Sequence, residues 1–208
     1  MSSNIDYYFS MASPWAYMGH PTFMDIVKRY GLAVTYKPVS LRRVFAETGG
    51  LPLPERAPAR QRYRMLELQR WRERRGLKLH LKPKYGRFDP SLVDCFIIAI
   101  AASGRDPDAF LRRAFPAIQE QEMNLADEAV ILALAGEAGL PGEELLAAAK
   151  SDATRAIYEE NYRDAVAIDA VGSPCYVRDG ESFWGQDRLD LFEDAVKSGR
   201  KGFRSDAA

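Results

Sequence analysis

The sequence predicts an α/β fold in which a βαβ unit and a ββα unit flank a large all-helical insertion. Three observations predict it. A strand–helix–strand pattern occupies the first 40 residues, no convincing strand pattern occurs between residues 55 and 166, and two β-rich runs with a final helix follow residue 170. The predicted organisation is a discontinuous α/β domain, a helical insertion domain and a flexible tail, at residues 1–40 plus 167–200, 41–166 and 201–208 respectively.

The N-terminal unit begins with a short β-rich run, Ile5–Phe9. Ser13-Pro14 then precedes an apolar-periodic stretch, Trp15 to Tyr30, and serine followed by proline is a typical helix start. Gly31 provides the helix end. The run Leu32–Val39 is predicted as the second strand, and the crossover between the two strands should be right-handed.

The middle of the chain is predicted to be helical after an irregular loop. Residues 49–58 contain Gly-Gly and three prolines, which favour a loop. The following helices are predicted from apolar spacing and from start signals such as Pro-Gly-Glu-Glu. They cover residues 60–75, 91–103, 107–117, 126–138, 142–150 and 152–166.

The C-terminal unit returns to β structure. The runs Val171–Val177 and Glu181–Trp184 are separated by a segment containing Asp179-Gly180, which is typical of a hairpin turn. A last helix is predicted from Asp187 to Ser198. The unit therefore reads ββα.

Composition excludes several classes of protein. Lysine and arginine balance aspartate and glutamate at 29 each, so neither a nucleic-acid partner nor a membrane partner is expected. The two cysteines, Cys95 and Cys175, form no CxxC and cannot complete a four-ligand zinc site, so no metal is predicted. The N-terminus has no signal-peptide pattern, and the cysteine usage fits a reducing cytoplasm.

Ser13 is the first candidate functional residue. A helix N-terminus carries unpaired N–H groups and a partial positive charge, and such a site can hold a thiolate. The Ser13 hydroxyl could donate to a bound sulfur anion. It could equally be an ordinary N-cap whose oxygen accepts from the helix backbone. The local sequence leaves both interpretations open.

Two further candidates lie near the C-terminus. Pro174 could simply begin a strand, or a cis Ser173–Pro174 bond could leave the Ser173 N–H and C=O free to pair with an extended peptide. Asp187 could cap the last helix or pair with a ligand ammonium group. Arg188 could bind a ligand carboxylate or an internal aspartate.

The remaining candidates are weaker as catalysts. His20 and His80 have no aspartate or cysteine at a spacing that suggests a triad, so both are expected to be structural or at the surface. A dense set of arginines is either a solvated helix face or a surface that steers an anionic substrate. Its members are Arg56, Arg60, Arg62, Arg64, Arg70, Arg72, Arg74 and Arg75.

Several segments, in order along the chain, together resemble a known family. They are Asp6-Tyr-Tyr-Phe-Ser with Ser13-Pro-Trp-Ala-Tyr17, Thr48-Gly49 with the proline-rich loop to Tyr63, Leu68-Gln-Arg-Trp71, Gly172-Ser-Pro174, and Phe183-Trp-Gly-Gln-Asp-Arg-Leu189. This order resembles the DsbA-like branch of the thioredoxin superfamily. More narrowly, it resembles the group of 2-hydroxychromene-2-carboxylate isomerases and kappa-class glutathione transferases.

The resemblance implies a thioredoxin-like fold with a helical insertion, glutathione as cofactor and a homodimer. It implies that Ser13 contacts the glutathione sulfur as the catalytic residue, and that Ser173 and Pro174 contact the cysteinyl backbone. It places Asp187 and Arg188 at the γ-glutamyl end. The contacts expected for an organic, carboxylate-bearing electrophile are Tyr85 and, in the proline-rich loop, Pro52, with arginines near the cleft holding the carboxylate.

The implied activity is glutathione-dependent isomerisation through reversible thiolate addition to a conjugated enone acid. The alternatives are a kappa-like glutathione transferase or peroxidase, and a glutathione-binding protein without this activity. A dithiol oxidoreductase is rejected, because Ser13 and Ala16 stand where a CxxC has its cysteines.

The sequence departs from the family pattern at two informative places. Gly50 stands where the family usually has an asparagine after Thr-Gly, so one polar contact to the ligand is missing. Cys175 stands where threonine is common. It could be a small buried strand residue or a thiol that responds to oxidants.

Overall fold

The computed structural model describes residues 4–205. Within that range the strands are β1 (Asn4–Phe9), β2 (Ala33–Pro38), β3 (Cys175–Arg178) and β4 (Glu181–Trp184). The helices are α1 (Pro14–Tyr30), α2 (Leu41–Thr48), α3 (Pro58–Arg74), α4 (Ser91–Ala102), α5 (Asp108–Gln119), α6 (Glu128–Glu137), α7 (Gly142–Ala149), α8 (Asp152–Ala167) and α9 (Leu189–Ser198). Two short 3-10 helices cover Leu53–Glu55 and Gln186–Arg188.

The strands form a mixed sheet in the order β2-β1-β3-β4. β1 runs parallel to β2, with Tyr7 opposite Tyr36, and antiparallel to β3, with Tyr7 opposite Tyr176. β3 and β4 form the antiparallel hairpin that the Asp-Gly turn predicts. The sheet is therefore completed by strands from both ends of the chain, and the helical insertion lies between them in sequence.

Aromatic side chains on the two central strands pack against α1. Tyr7 stacks on Phe9 and Tyr176, with ring centroids 4.5 and 5.3 Å apart, and Phe23 of α1 lies 4.8 Å from the Tyr7 ring. All four rings are fully buried. Offset aromatic pairs of this kind add to the free energy gained from burial, so they hold α1 firmly on the sheet.

The helical insertion continues this core. Phe115 of α5 lies 6.1 Å from the Phe9 ring and 5.4 Å from the His20 ring, centroid to centroid. His20 is buried, and its Nε2 lies 3.0 Å from Asp108 Oδ1, also on α5. The predicted domains at 1–40 plus 167–200 and at 41–166 thus share one contiguous hydrophobic core in the described residues.

The structure differs from the predicted elements in three places. Helix α2 was not predicted, because it is only two turns long and buries a single side chain, Val44. β3 begins at Cys175 and not at Val171, because the residues before it form a loop. The last α-helix begins at Leu189, since a 3-10 turn occupies residues 186–188.

The described part of the C-terminal tail lies against the β3–β4 hairpin. The Phe203 N–H donates to Glu181 Oε2 over 2.9 Å, and the Arg200 guanidinium pairs with the same carboxylate. The flexibility predicted for 201–208 stays a prediction, and its last three residues lie outside the described range. Among residues 4–205, none of the helices combines the length and apolarity that crossing a membrane needs.

Candidate functional site

Ser13 lies at the carboxyl end of β1, in the short loop that leads into α1. Its Oγ accepts a hydrogen bond from the Ala16 N–H over 3.2 Å, so the capping interpretation is confirmed. The same hydroxyl donates to the Ser173 carbonyl over 3.2 Å. Ser13 is buried, at 5% exposure. The serine therefore caps α1 and also joins it to the loop before β3.

The first turn of α1 retains one free backbone donor. Pro14 has no N–H, and the N–H groups of Ala16 and Tyr17 are used by Ser13 Oγ and the Ser13 carbonyl. The Trp15 N–H meets no acceptor in the part of the chain that the structure describes. This free N–H, together with the helix dipole, favours an anion at this end of α1.

The loop before β3 contains the cis bond considered from the sequence. The Ser173–Pro174 peptide is cis. The Ser10 N–H donates to Ser173 Oγ over 3.1 Å, and the Gly185 N–H donates to the Pro174 carbonyl over 2.9 Å. The expectation of a free Ser173 carbonyl is wrong, since that oxygen already accepts from Ser13. Within residues 4–205 the Ser173 N–H has no acceptor, so it is open to a ligand.

The segment after β4 places Asp187 and Arg188 at the surface beside α1. Their side chains pair with each other, Arg188 Nη1 to Asp187 Oδ2 at 2.7 Å, and both are half-exposed. This internal pair is one of the two partners expected for Arg188. Neither the last 3-10 helix nor α9 has a side-chain cap, so the capping role considered for Asp187 is wrong.

Arg75, at the end of α3, fixes this segment relative to α1. Its Nη1 donates to the Met18 carbonyl and to Thr22 Oγ1, each over 2.6 Å. Its Nη2 donates to the Gln186 carbonyl over 3.3 Å. One guanidinium thus joins the helical insertion, α1 and the residue preceding Asp187.

Pro52 and Tyr85 lie in two loops of the insertion, and among residues 4–205 no hydrogen bond or ring contact joins either of them to Ser13 or Ser173. Pro52 precedes the first 3-10 helix, and Tyr85 is half-buried in a turn, with Lys84 Nζ 4.9 Å from its ring centroid. Gly50, beside Pro52, lies against Phe45, because a Cβ at residue 50 would come 2.2 Å from the phenyl ring. The asparagine typical of the family therefore does not fit here without movement of Phe45.

Arg64 is a candidate that the sequence did not single out. Its Cζ lies 5.9 Å from the ring of Trp15, the residue with the free N–H. It is half-buried, and it forms no ion pair with a carboxylate in residues 4–205. Burial and the neighbouring charges of Arg56 and Arg87 lower the pKa of Arg64. In the sequence it was one of eight arginines, and only the packing of α3 distinguishes it.

Both cysteines are buried and unpaired. Burial raises the pKa of the Cys175 thiol to about 12, and burial followed by the charge of Asp94 raises the pKa of Cys95 to about 11. The interpretation of Cys175 as a buried strand residue is confirmed, because it is 1% exposed in β3. In the described residues no three His, Cys, Asp or Glu side chains are arranged to hold a metal ion.

A mixed four-stranded sheet, a capped helix N-terminus and a facing cis-proline loop define a thioredoxin-fold protein, and here serine occupies the helix start. A family model for the DSBA-like thioredoxin domain matches residues 4–197, and the chain belongs to this family. The fold predicted from the sequence is thereby confirmed.

Curated relatives carry a more specific name. The 2-hydroxychromene-2-carboxylate isomerase of Sphingobium xenophagum is 25% identical over 93% of this chain and 97% of its own length. The isomerase of the same name from Pseudomonas putida is 23% identical over 92% of this chain and 93% of its own length. The resemblance to this group of isomerases, inferred from the ordered segments, is confirmed.

Solved structures agree in fold. A 2-hydroxychromene-2-carboxylate isomerase superposes with a TM-score of 0.81 at 22% identity, covering 94% of this chain and 95% of that one. The cytosolic disulfide reductase DsbM of Pseudomonas aeruginosa, in a structure with GSH, superposes with a TM-score of 0.68 at 19% identity and covers 94% and 98%. At these identities the likeness establishes the fold.

Proposed function

We propose that the chain is a glutathione-dependent isomerase of the 2-hydroxychromene-2-carboxylate isomerase type. The observation that carries the proposal is the contact between Ser13, at the N-terminus of α1, and Ser173, beside cis-Pro174. The curated relatives support the isomerase class. Glutathione, a carboxylate-bearing organic electrophile, a homodimer and a cytoplasmic location complete the proposal.

The described residues fit glutathione. The Ser173 N–H is free in a nearly buried loop, where it could pair with the backbone of an extended tripeptide. The Trp15 N–H and the Ser13 hydroxyl lie at the helix end, where a sulfur anion would be stabilised. Asp187 and Arg188 present a carboxylate and a guanidinium at the surface, which match the ammonium and carboxylate of a γ-glutamyl group.

When bound, glutathione supplies a thiolate whose reversible addition to a conjugated enone acid lets the former double bond rotate before elimination. The protein's part is to keep that sulfur ionised and in position. Lowering a thiol pKa by one unit requires about 1.36 kcal/mol of preferential stabilisation of the thiolate. A helix N-terminus contributes roughly 0.3–2 kcal/mol, so α1 and the Ser13 hydroxyl together suffice for a shift of that size.

Substitution of Ser13 by alanine tests the proposal. Because a hydrogen bond to a charged group contributes roughly 1.5–3 kcal/mol, we expect turnover of 2-hydroxychromene-2-carboxylate to fall roughly tenfold or more, with little change in glutathione affinity. The measurement is the glutathione-dependent loss of substrate absorbance, with calorimetry for glutathione binding.

The matched control is Ser151→Ala. Ser151 caps α8 in the same way, accepting from the Thr154 N–H over 3.2 Å, so each variant should lose about 1 kcal/mol of stability through its cap. Ser13→Ala also loses the bond to the Ser173 carbonyl, so its total loss of stability should be the larger one. Only Ser13→Ala should lose turnover. Equal turnover in the two variants would remove the role given to Ser13, and wild-type protein that does not bind millimolar glutathione would overturn the proposal.

A further inference from the structure

Arg64 lies beside the N-terminus of α1, and two other arginines lie near enough to act on its charge. Arg64 projects from α3 to the ring of Trp15. Arg56 follows the Pro52 loop, and Arg87 follows the Tyr85 turn. Both are close enough to Arg64 for their charges to lower its pKa, after the larger effect of burial. The loops that hold the two expected substrate contacts therefore bring their arginines near Arg64.

Hydrogen bonds fix Arg56 in its loop and also fix the turn that precedes Arg87. Arg56 Nε donates to the Leu51 carbonyl over 2.7 Å, and the Arg56 carbonyl accepts from Gln61 Nε2, also over 2.7 Å. In the second loop the Lys84 N–H donates to Glu122 Oε1 over 3.0 Å, which ties the turn to the segment after α5. A donor fixed in this way, as Arg56 is, loses little conformational entropy when a ligand binds.

These three arginines have no carboxylate within ion-pair distance in the part of the chain that the structure describes. Arg64, Arg56 and Arg87 form no ion pair there. Other arginines of the region differ, since Arg70 pairs with Glu67 and Arg75 donates to three oxygens. A half-buried cation next to like charges is unfavourable unless an anion binds. The cluster therefore has the character of a preformed anion site.

We infer that Arg64, with Arg56 and Arg87, binds the carboxylate of a ligand whose reactive group lies at the N-terminus of α1. The guanidinium fork suits a planar carboxylate, which it can bind through two parallel hydrogen bonds. The Trp15 ring, 5.9 Å from the Arg64 Cζ, holds the guanidinium beside the helix N-terminus through a cation–π contact. The position of the reactive group in this inference rests on the proposed function. The binding of a carboxylate is inferred from the arginines alone.

Two sources could supply that carboxylate, the glycyl end of glutathione and the organic acid substrate. We therefore measure binding of three probes by calorimetry: glutathione, its glycyl monoethyl ester and salicylate, an aromatic acid of comparable chemistry. The variant is Arg64→Gln. The control is Arg62→Gln, which removes the same charge from an exposed position two residues away on α3.

We expect Arg64→Gln to weaken binding of glutathione or salicylate roughly tenfold or more, and Arg62→Gln to change it less than about twofold. If glutathione is the source, its monoethyl ester binds the wild type as weakly as glutathione binds Arg64→Gln. If the organic acid is the source, salicylate binding is lost and glutathione binding is kept. Arg64→Lys should give intermediate affinity, because it keeps the charge and loses the fork.

The inference is overturned if Arg64→Gln binds glutathione and salicylate within about twofold of the wild type. The thermal midpoint of Arg64→Gln shows whether Arg64 binds a ligand or stabilises the fold. Removal of a repelled charge should leave the thermal midpoint unchanged or raised. Failure of the wild type to isomerise 2-hydroxychromene-2-carboxylate would refute the proposed function, whereas loss of acid binding in Arg64→Gln would still support this site.

Discussion

The hydroxyl of Ser13 illustrates how much one residue can do at a helix start. A hydroxyl has one proton and two acceptor positions. In the structure the proton points to the Ser173 carbonyl, and one acceptor position holds the Ala16 N–H. Donation to a sulfur anion would redirect the proton and leave the cap in place. Capping and ligand binding are therefore compatible.

The two cysteines give a prediction at the same scale. With pKa values of about 12 for Cys175 and about 11 for Cys95, the thiolate fractions at pH 8 are about one in ten thousand and one in a thousand. We expect no reaction of the native protein with a disulfide reagent at pH 8, and reaction of two thiols after unfolding in guanidinium. Rapid labelling of one native thiol would instead favour the oxidant-responsive interpretation of Cys175.

Residue identity predicted part of the candidate site. Ser13 and Ser173 were recognisable because a serine before proline and a Gly-Ser-Pro strand start are local patterns. Arg64 was not recognisable, since its meaning depends on which face of α3 lies against Trp15 and on two loops that bring Arg56 and Arg87 to it. The sequence shows eight arginines between residues 56 and 75 and does not show which of them lies against Trp15.

At the scale of elements, α4 and α8 are joined by a buried polar contact. The Tyr158 hydroxyl donates to Asp94 Oδ2 over 2.9 Å, and Asp94 is fully buried. Burial raises the pKa of the Asp94 carboxyl, and the hydrogen bond from Tyr158 lowers it in part. The link between α8 and α4 therefore depends on the Tyr158 hydroxyl.

Tyr158→Phe should destabilise the fold by roughly 1–3 kcal/mol, because it leaves a buried carboxyl oxygen without its donor. Urea unfolding followed by circular dichroism measures the change. Tyr162→Phe is the control, since that hydroxyl is exposed and lies 3.5 Å from Glu47. A loss of similar size in both variants would contradict the buried contact as the cause.

Long periodic elements were predicted well, and short ones were not. The bounds of α1, α4 and α8 each differ from the prediction by one residue, because apolar spacing and start signals agree over three or more turns. α2 gives no such signal, with only Val44 buried. The start of β3 was misplaced, because the Ser173 side chain and carbonyl bond to Ser10 and Ser13 instead of joining the sheet.

At the scale of the whole molecule, the helical insertion and the α/β unit share one core. Phe9 and His20 of the α/β unit both contact Phe115 of the insertion. Contact of this kind couples the unfolding of the two parts. The predicted domain boundaries at 40/41 and 166/167 therefore divide the sequence only, since residues on both sides of each boundary belong to the same hydrophobic core.

We expect a single cooperative thermal transition, with calorimetric and van't Hoff enthalpies in a ratio near 1. Differential scanning calorimetry with circular dichroism at the same scan rate measures both quantities. Two separated transitions would show that the insertion unfolds alone, and the shared core would then be too weak to couple it.

The pairing of β1 with β3 has a consequence for synthesis on the ribosome. β1 can pair with β2 early, but its other edge stays open until β3 is made, about 170 residues later. At roughly 5–20 residues per second, that delay lasts roughly ten to thirty seconds. During this time Tyr7 and Phe9 lie on an uncovered strand edge of the kind that recruits other chains. The nascent protein thus meets its greatest risk of aggregation before its last strand has left the ribosome.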